Sequence, residues 1–368
     1  MTTRSPSRVD GLRDQLREKH LDALLLSDIV NIGYVTGFTG STAYAVVTPA
    51  EALLITDPRY TLRAREESPA FTLAVAQGSG GYSEALKKVV SERSGIKTLG
   101  FEANHVTVGL LERLRKELPA ELSWTPTENV VENLRIVKDA GETAAIEAAI
   151  AIAQETIEAV KSRLRAGRSE NEIALDIEFT MRRLGAQRPA FDTIVASGPN
   201  GARPHHTPSG RILEPGDLVT IDWGAELDGY CSDITRTFAI GTSDDISAEQ
   251  KRIYETVREA QALAIAAIAP GKTGKEIDSV ARDYIASKGY GDAFSHSLGH
   301  SLGRAVHDGQ GLSSRSDKFI LKPGMVMTIE PGIYVEGIGG VRIEEDILVT
   351  ETGSRILTSL PREMEFLG

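Results

Sequence analysis

Four carboxylates and one imidazole sit where a folding chain ordinarily places apolar side chains. They are Asp222 in "TIDWG", Asp233 in "SDITRT", His300 in "SLGHSLG", Glu330 in "MTIEPG" and Glu344 in "VRIEED". Each segment is apolar, β-prone or rich in glycine. A lone ionised carboxylate taken out of water costs several kcal/mol or more, so it protonates, pairs or binds metal. For Asp222 taken singly, a turn cap is an adequate explanation, and for Asp233 an ion pair with Arg236. All five together point to a shared cation. The four carboxylates bring a charge of −4, which two divalent ions cancel. Mostly oxygen donors with one imidazole suit Mn²⁺, Co²⁺, Fe²⁺ or Zn²⁺. Two such ions roughly 3.5 Å apart can share a hydroxide, polarise a carbonyl and support hydrolysis.

The elements that must position these groups are legible from periodicity. "IDWGAELDGYCSDITRT", residues 221–237, reads as a strand, a turn and a returning strand, a hairpin that brings Asp222 and Asp233 to one end of a sheet. Upstream, "SRVDGLRDQLREKH", "SEALKKVVSER" and "TVGLLERLRKEL" have the apolar spacing of amphipathic helices, and "DALLLS", "AYAVVTP", "EALLITD" and "KTLGFE" read as strands. This is an α/β domain over residues 1–135. A long Ala/Glu/Ile-rich helical stretch follows, and "SENEIALDIEFTMRRLG" opens on a capping pattern, Ser169 to Glu172. After Gly185, glycine-punctuated strands alternate with two more helices ("AEQKRIYETVREAQALAIAAI" and "GKEIDSVARDYIASKG"), giving an α+β second domain over 136–368.

The bulk properties exclude several classes of function. The chain has 368 residues, a formal net charge of −11 and ordinary hydrophobic content, 41%. An acidic chain of this kind is not expected to bind nucleic acid or an anionic membrane. A single cysteine, Cys231, allows no internal disulfide and fits a reducing compartment. The polar N-terminus has no signal-peptide core, and no stretch approaches 18 uninterrupted apolar residues, so the expected location is the cytoplasm. Cys231 shares strand parity with Asp233, although a small buried thiol is the simpler reading.

The order Asp, Asp, His, Glu, Glu, carried by "SDITRT", "GHSLG", "EPG" and "RIE", resembles the pita-bread metallopeptidases, which include methionine aminopeptidase, aminopeptidase P and prolidase. The resemblance covers about residues 140–368. The first domain, with "NIGYVTGFTGS" and "LLITDPRY", resembles the creatinase-type N-terminal domain of the proline peptidases. Methionine aminopeptidases lack that domain, so its presence implies substrates with proline at the second position. The resemblance implies that Asp222 chelates one metal, that Asp233 and Glu344 bridge both, and that His300 and Glu330 complete the coordination of the second ion. It implies a catalytic His205 ("ARPHHTPSG") contacting substrate, His307 ("AVHDG") stabilising the tetrahedral intermediate, and Glu330 as proton shuttle. Around the proline pocket it places His296, Tyr334 and Arg342, with a buried aromatic and a structural ion pair as the plain alternatives for the last two. The relatives pattern is Arg-Ile-Glu-Asp. Here Glu345 takes the acidic neighbour's place and, on a strand, would point to the opposite face from Glu344. His20 and His105 read as surface or local structural residues, and His206 has no role in the pattern.

The expected function is therefore a cytoplasmic Xaa-Pro aminopeptidase with two divalent ions, Mn²⁺ first with Co²⁺ or Zn²⁺ as alternatives, in a homodimer. Xaa-Pro dipeptidase (prolidase) is the close alternative. A dipeptidase must read the free carboxylate of proline, and Arg315 in "SSRSDK" could do so. A creatinase-like amidine hydrolase without metal, or a peptide-binding module that has lost catalysis, are more distant readings, which the intact set of five ligands disfavours.

Overall fold

The computed structural model describes residues 8–78 and 81–368. Contacts divide the chain into two compact units, 1–135 and 136–368.

The first unit is built on one mixed sheet. Its strands are β1 (Ala23–Leu26), β2 (Tyr44–Val47), β3 (Ala52–Thr56), β4 (Thr72–Val75), β5 (Thr98–Glu102) and β6 (Ser123–Thr127), in the order β4-β3-β2-β1-β5-β6. Alternation along β1 sends Leu24 and Leu26 to one face and Ala23 and Leu25 to the other. On the first face they meet Leu12 and Leu16 of helix α1 (Arg8–Glu18) and Ile32 and Val35 of α2 (Ile29–Thr36). On the second they meet Leu86, Val89 and Val90 of α3 (Gly81–Ser91) and Leu114 of α4 (Val108–Glu117). Two elements lack the periodicity that would reveal them in sequence. The segment "IVNIGYVT" is β-branched and hydrophobic almost throughout, yet α2 forms because Asp28 accepts from Val30 N at its start and Gly37 turns left-handed (φ 80°) at its end. Strand β6 contains Pro126, which the ladder tolerates because β6 lies at the sheet edge.

The second unit sets two helix pairs behind small curved sheets. The helices are α5 (Ala140–Val160), α6 (Glu170–Arg183), α7 (Ala248–Ala267) and α8 (Gly274–Ser287). Each opens with a capping box: Asp139 with Glu142, Ser169 with Glu172, Ser247 with Gln250, and Thr273 with Glu276. Each box satisfies two otherwise orphaned backbone donors and fixes where its helix begins. The pair α5 and α6 buries Ile146, Ile150, Ile173 and Ile177 with Trp223 and Phe238. The pair α7 and α8 buries Val257, Ile277 and Ile285 with Met327, Ile329, Ile343 and Ile347.

On the other side of these cores lie the strands that carry the candidate ligands. Antiparallel β7 (Ile194–Ser197), β8 (Leu218–Trp223) and β9 (Ile234–Ile240) form one sheet. The hairpin between β8 and β9 extends as a narrower ribbon, Ala225–Leu227 against Tyr230–Cys231. Its tip is Asp228-Gly229, both at positive φ (50° and 75°), the pair that a type I′ turn requires. Strand β10 (Gly299–His300) pairs with Gly311–Leu312. Strands β11 (Val326–Ile329), β12 (Gly332–Val335), β13 (Gly339–Arg342) and β14 (Glu345–Val349) form the last group, with β12 against β13 and β11 against β14.

Gly299 shows how tightly the ligand-bearing strand is seated, because a Cβ there would overlap the Thr328 carbonyl oxygen, a backbone atom that cannot step aside. Gly299→Ala should therefore lift β10 from β11, lowering the melting temperature and weakening divalent-ion binding together. Calorimetry with and without Mn²⁺ checks this, and an alanine variant that melts and binds like the parent would contradict the packing described.

Candidate active site

Five donors converge from in or beside five strands. Asp222, penultimate in β8, lies opposite Thr235 of β9, and Asp233 lies two residues before Thr235, so all three side chains share one face of the sheet. Only Asp222 and His300 lie within strands. Asp233 precedes β9, Glu330 follows β11 and Glu344 falls between β13 and β14, where the backbone leaves its ladder and can aim a side chain into the cavity. Asp233 and Glu344 are almost fully buried, 4% and 1% exposed. One donor atom each from Asp233, His300 and Glu344 lies within 4.8 Å of the others. His300 Nε2 is 3.4 Å from both Asp233 Oδ2 and Glu330 Oε1. All five line one cavity of about 710 Å³ together with His205, His296, His307 and Arg342.

The supporting hydrogen bonds fix the direction in which each donor faces. His300 Nδ1 donates to the Ser301 carbonyl (3.2 Å), which leaves Nε2 bare toward the carboxylates. Thr235 Oγ1 donates to Glu344 Oε2 (2.6 Å), and Thr328 Oγ1 to Glu330 Oε1 (3.2 Å). Asp222 Oδ2 accepts from Arg342 Nη2 (2.7 Å), whereas its Oδ1 is buried with no hydrogen-bond partner among the described residues.

The electrostatics follow from that crowding. Burial, reinforced by the charges of Asp222, Asp346 and Glu330, pushes the Asp233 carboxyl well above the usual range. Burial likewise raises Glu330, and burial with the Asp233 charge raises Glu344 well above it. A cluster that cannot hold its negative charges unaided, with an orphaned oxygen and a bare imidazole nitrogen aimed among them, has the donor chemistry of a divalent-cation site.

Beside the donors runs a chain of polar groups. Arg342 Nη1 donates to Tyr334 Oη (2.9 Å) and to the Pro204 carbonyl (3.2 Å). Tyr334 Oη is 2.8 Å from His296 Nε2, and His296 Nδ1 donates to the Ser297 carbonyl at 2.8 Å. The ion pair of Arg342 with Asp222 and the tyrosine hydroxyl bridge coexist. Arg342 thus ties a candidate ligand to the pocket wall. Burial, then the nearby Arg342 charge, lowers His296 to about 4, so its ring is neutral and can accept from Tyr334, whose own hydroxyl burial pushes up to about 12. The His307 ring centre is 4.2 Å from that of His300, and burial together with His300 lowers it, leaving a neutral imidazole at the cavity wall.

Several sequence expectations are resolved by these contacts. Arg236 does not pair with Asp233; its Nη2 donates to Glu345 Oε1 (2.8 Å), and Glu345 faces away from the cavity. Cys231 is 2% exposed, lies off the cavity, and its thiol is pushed up by burial. Arg315 is exposed and does not line the cavity, so it is not placed to read a bound carboxylate there. His105 Nδ1 meets Ser27 Oγ at 3.0 Å in the first unit, a local structural contact. One neighbour escaped sequence reasoning. Asp346, fully buried, accepts from the Asp233 backbone N–H at 3.2 Å. The i, i+2 spacing of Glu344 and Asp346 was the available signal.

Because the native state holds protons on Asp233, Glu330 and Glu344 that the unfolded chain gives up near pH 4, these groups favour folding below that pH and progressively less above it. Divalent ions replace those protons. The rise in melting temperature on adding Mn²⁺ should therefore grow from about pH 5 to about pH 8. An increment that stayed flat across that range would contradict the electrostatics above.

Known proteins match almost the whole chain. Residues 144–351 match "Metallopeptidase family M24", and residues 8–137 match "Creatinase/Prolidase N-terminal domain". A protein of Pyrococcus horikoshii named Xaa-Pro dipeptidase is 37% identical over 97% of this chain and 98% of its own. Among solved structures, an Xaa-Pro dipeptidase from Bacillus anthracis is 40% identical with a TM-score of 0.93, covering 98% of this chain and 99% of that one. An X-Pro aminopeptidase from Thermotoga maritima is 41% identical with a TM-score of 0.88, covering 96% and 100%. The pita-bread catalytic fold with a creatinase-like first domain, candidate ligands lining one cavity and matches running almost end to end lead to one assignment: the chain belongs to metallopeptidase family M24 and is a metallo-exopeptidase.

Proposed function

We propose that the chain hydrolyses the bond before proline at a centre of two divalent ions, with Xaa-Pro dipeptides as its main substrates. The observation that carries the reading is the convergence of Asp222, Asp233, His300, Glu330 and Glu344 on one cavity beside His205 and His307. These five would hold the ions, with Mn²⁺ favoured and Co²⁺ or Zn²⁺ as alternatives. When bound, the ions would supply an activated water and a Lewis acid for the carbonyl.

The chain's own side chains account for the rest. His307, neutral, donates to the oxygen on which charge develops. Glu330, at the edge of the ion site, would take the proton of the attacking water and deliver it to the leaving nitrogen. That nitrogen belongs to a tertiary amide with no N–H, so the pocket needs shape and a proton source and no acceptor. Phe191, Ile194 and Val306 supply apolar wall, while His205, His296, Tyr334 and Arg342 hold the substrate.

The dipeptidase reading rests on the relatives that carry that name. It replaces the aminopeptidase that the sequence pattern favoured. One observation still supports longer substrates. Among the described residues lining the cavity, the one guanidinium is Arg342, already engaged with Asp222, and no lysine joins it, so a free proline carboxylate would meet no uncommitted Arg or Lys side chain. A homodimer in the cytoplasm completes the proposal. Comparing kcat/KM for Ala-Pro with that for Ala-Pro-Ala, in Mn²⁺, tests the substrate: preference for the tripeptide would restore the aminopeptidase reading, and inertness toward both would remove proline specificity.

Asp233→Ala and Glu344→Ala should lose activity and most bound metal, read by elemental analysis. His307→Ala should keep its metal while kcat falls about a hundredfold. Full turnover by His307→Ala would show that its role is misassigned.

A further inference from the structure

The segment that carries His205 has no regular structure between Gly198–Ala202 and the strand β8, yet it must present an imidazole to the cavity. One buried carboxylate ties both of its ends. Glu170, the first residue of α6, is fully buried. Its Oε1 accepts from Ser197 N (2.8 Å), Ser197 Oγ (2.7 Å) and Asn200 Nδ2 (3.0 Å), at the start of the segment. Its Oε2 accepts from Ser209 N (3.0 Å) and Ser209 Oγ (2.6 Å) and lies 2.9 Å from His206 Nε2, at the end. Burial alone would raise this carboxyl, but the bonds from Ser209, Ser197 and Asn200 outweigh it and hold it at about 2. As an anion Glu170 has no proton to give, so His206 Nε2 carries the hydrogen and donates.

The opposite side of the segment is seated just as closely. A Cβ on Gly201 would come within 2.8 Å of Gly340 N, and the Pro204 carbonyl accepts from Arg342. The segment is clamped between an anion behind it and β13 in front. His206 turns its Nε2 to the anion, while the preceding residue, His205, lines the cavity, whose edge His206 also borders.

We propose that Glu170 and His206 are positioning residues that act through His205, fixing the turn from which His205 reaches the substrate. Neither would touch the reacting atoms. The inference deepens the peptidase reading and rests on it for the role of His205. It explains why a chain places a carboxylate at the first turn of α6, where a cap at Ser169 already satisfies the helix, and then withdraws it fully from water.

The test is a double-mutant cycle on the full Mn²⁺-loaded chain with Ala-Pro. His206→Ala should lower kcat/KM about tenfold or more, as a displaced contact does. In a His205→Ala background the same change should cost less than about twofold, since nothing remains to be positioned. Metal content should be unchanged throughout, and His206→Gln, which keeps an amide donor for Glu170, should recover most of the loss. Equal losses in both backgrounds, or no loss in the parent, would overturn the proposal. Should His206→Ala not fold, ¹H–¹⁵N spectra of histidine rings in the metal-free chain decide instead. Glu170→Gln should shift the His205 ring signals and abolish a slowly exchanging His206 Nε2–H, and unmoved His205 signals would overturn the inference. Because that readout needs no turnover, a parent enzyme inert toward Ala-Pro would count against the peptidase reading alone.

Discussion

Mutual repulsion among buried carboxylates is the constraint from which the rest of the second unit follows. At an effective dielectric constant near 20, two unit charges 4 Å apart repel by about 4 kcal/mol. Asp233 and Glu344 offer oxygens within 4.8 Å of each other, and Asp222, Glu330 and Asp346 add to the field at Asp233. A few such pairs would consume the roughly 5–15 kcal/mol by which a typical domain is stable. The cluster must be neutralised. Arg342 neutralises part of it at Asp222, and protons or divalent ions must supply the remainder. The interaction that threatens the fold is thus the one that gives the site its affinity for cations.

Such a cluster persists only if the scaffold cannot relax away from it. Its donors come from the ends of β8, β9, β11 and β13, each backed by one of two apolar layers that include Trp223 and Phe238 on one side and Met327, Ile329 and Ile343 on the other. Gly299 permits β10 to close on β11, and Thr235 and Thr328 donate to the ligand oxygens, so the carboxylates cannot swing outward without abandoning those bonds. The polar chain from Arg342 through Tyr334 to His296 then links a ligand to the wall of the substrate cavity, so that filling one and occupying the other are structurally connected.

Much of this was legible in the residues themselves. A carboxylate in "TIDWG" or "MTIEPG" contradicts its surroundings, and four such carboxylates with one imidazole mark a candidate site before any coordinates exist. The hairpin was visible because Asp228-Gly229 demands a specific turn, and α6 because Ser169 and Glu172 form a capping box. What stayed hidden depends on contacts far apart in sequence. Nothing local tells Glu170 from the other acidic residues of a helix N-terminus until Ser197 and Ser209 are seen to fold back onto it. Strand parity already turned Glu345 away from Glu344, but that Asp346 accepts from the Asp233 backbone and Glu345 from Arg236 depends on contacts more than a hundred residues apart. Helix α2 was obscured by its β-branched residues, whose preference is overridden by the cap at Asp28 and by burial of Ile32 and Val35.

The central claim is that these five side chains hold a pair of ions. Anomalous diffraction at the manganese absorption edge, from crystals grown in Mn²⁺, tests it most directly. The account predicts two peaks roughly 3.5 Å apart, enclosed by Asp222, Asp233, His300, Glu330 and Glu344. A single peak there, or manganese bound only elsewhere on the chain, would contradict it.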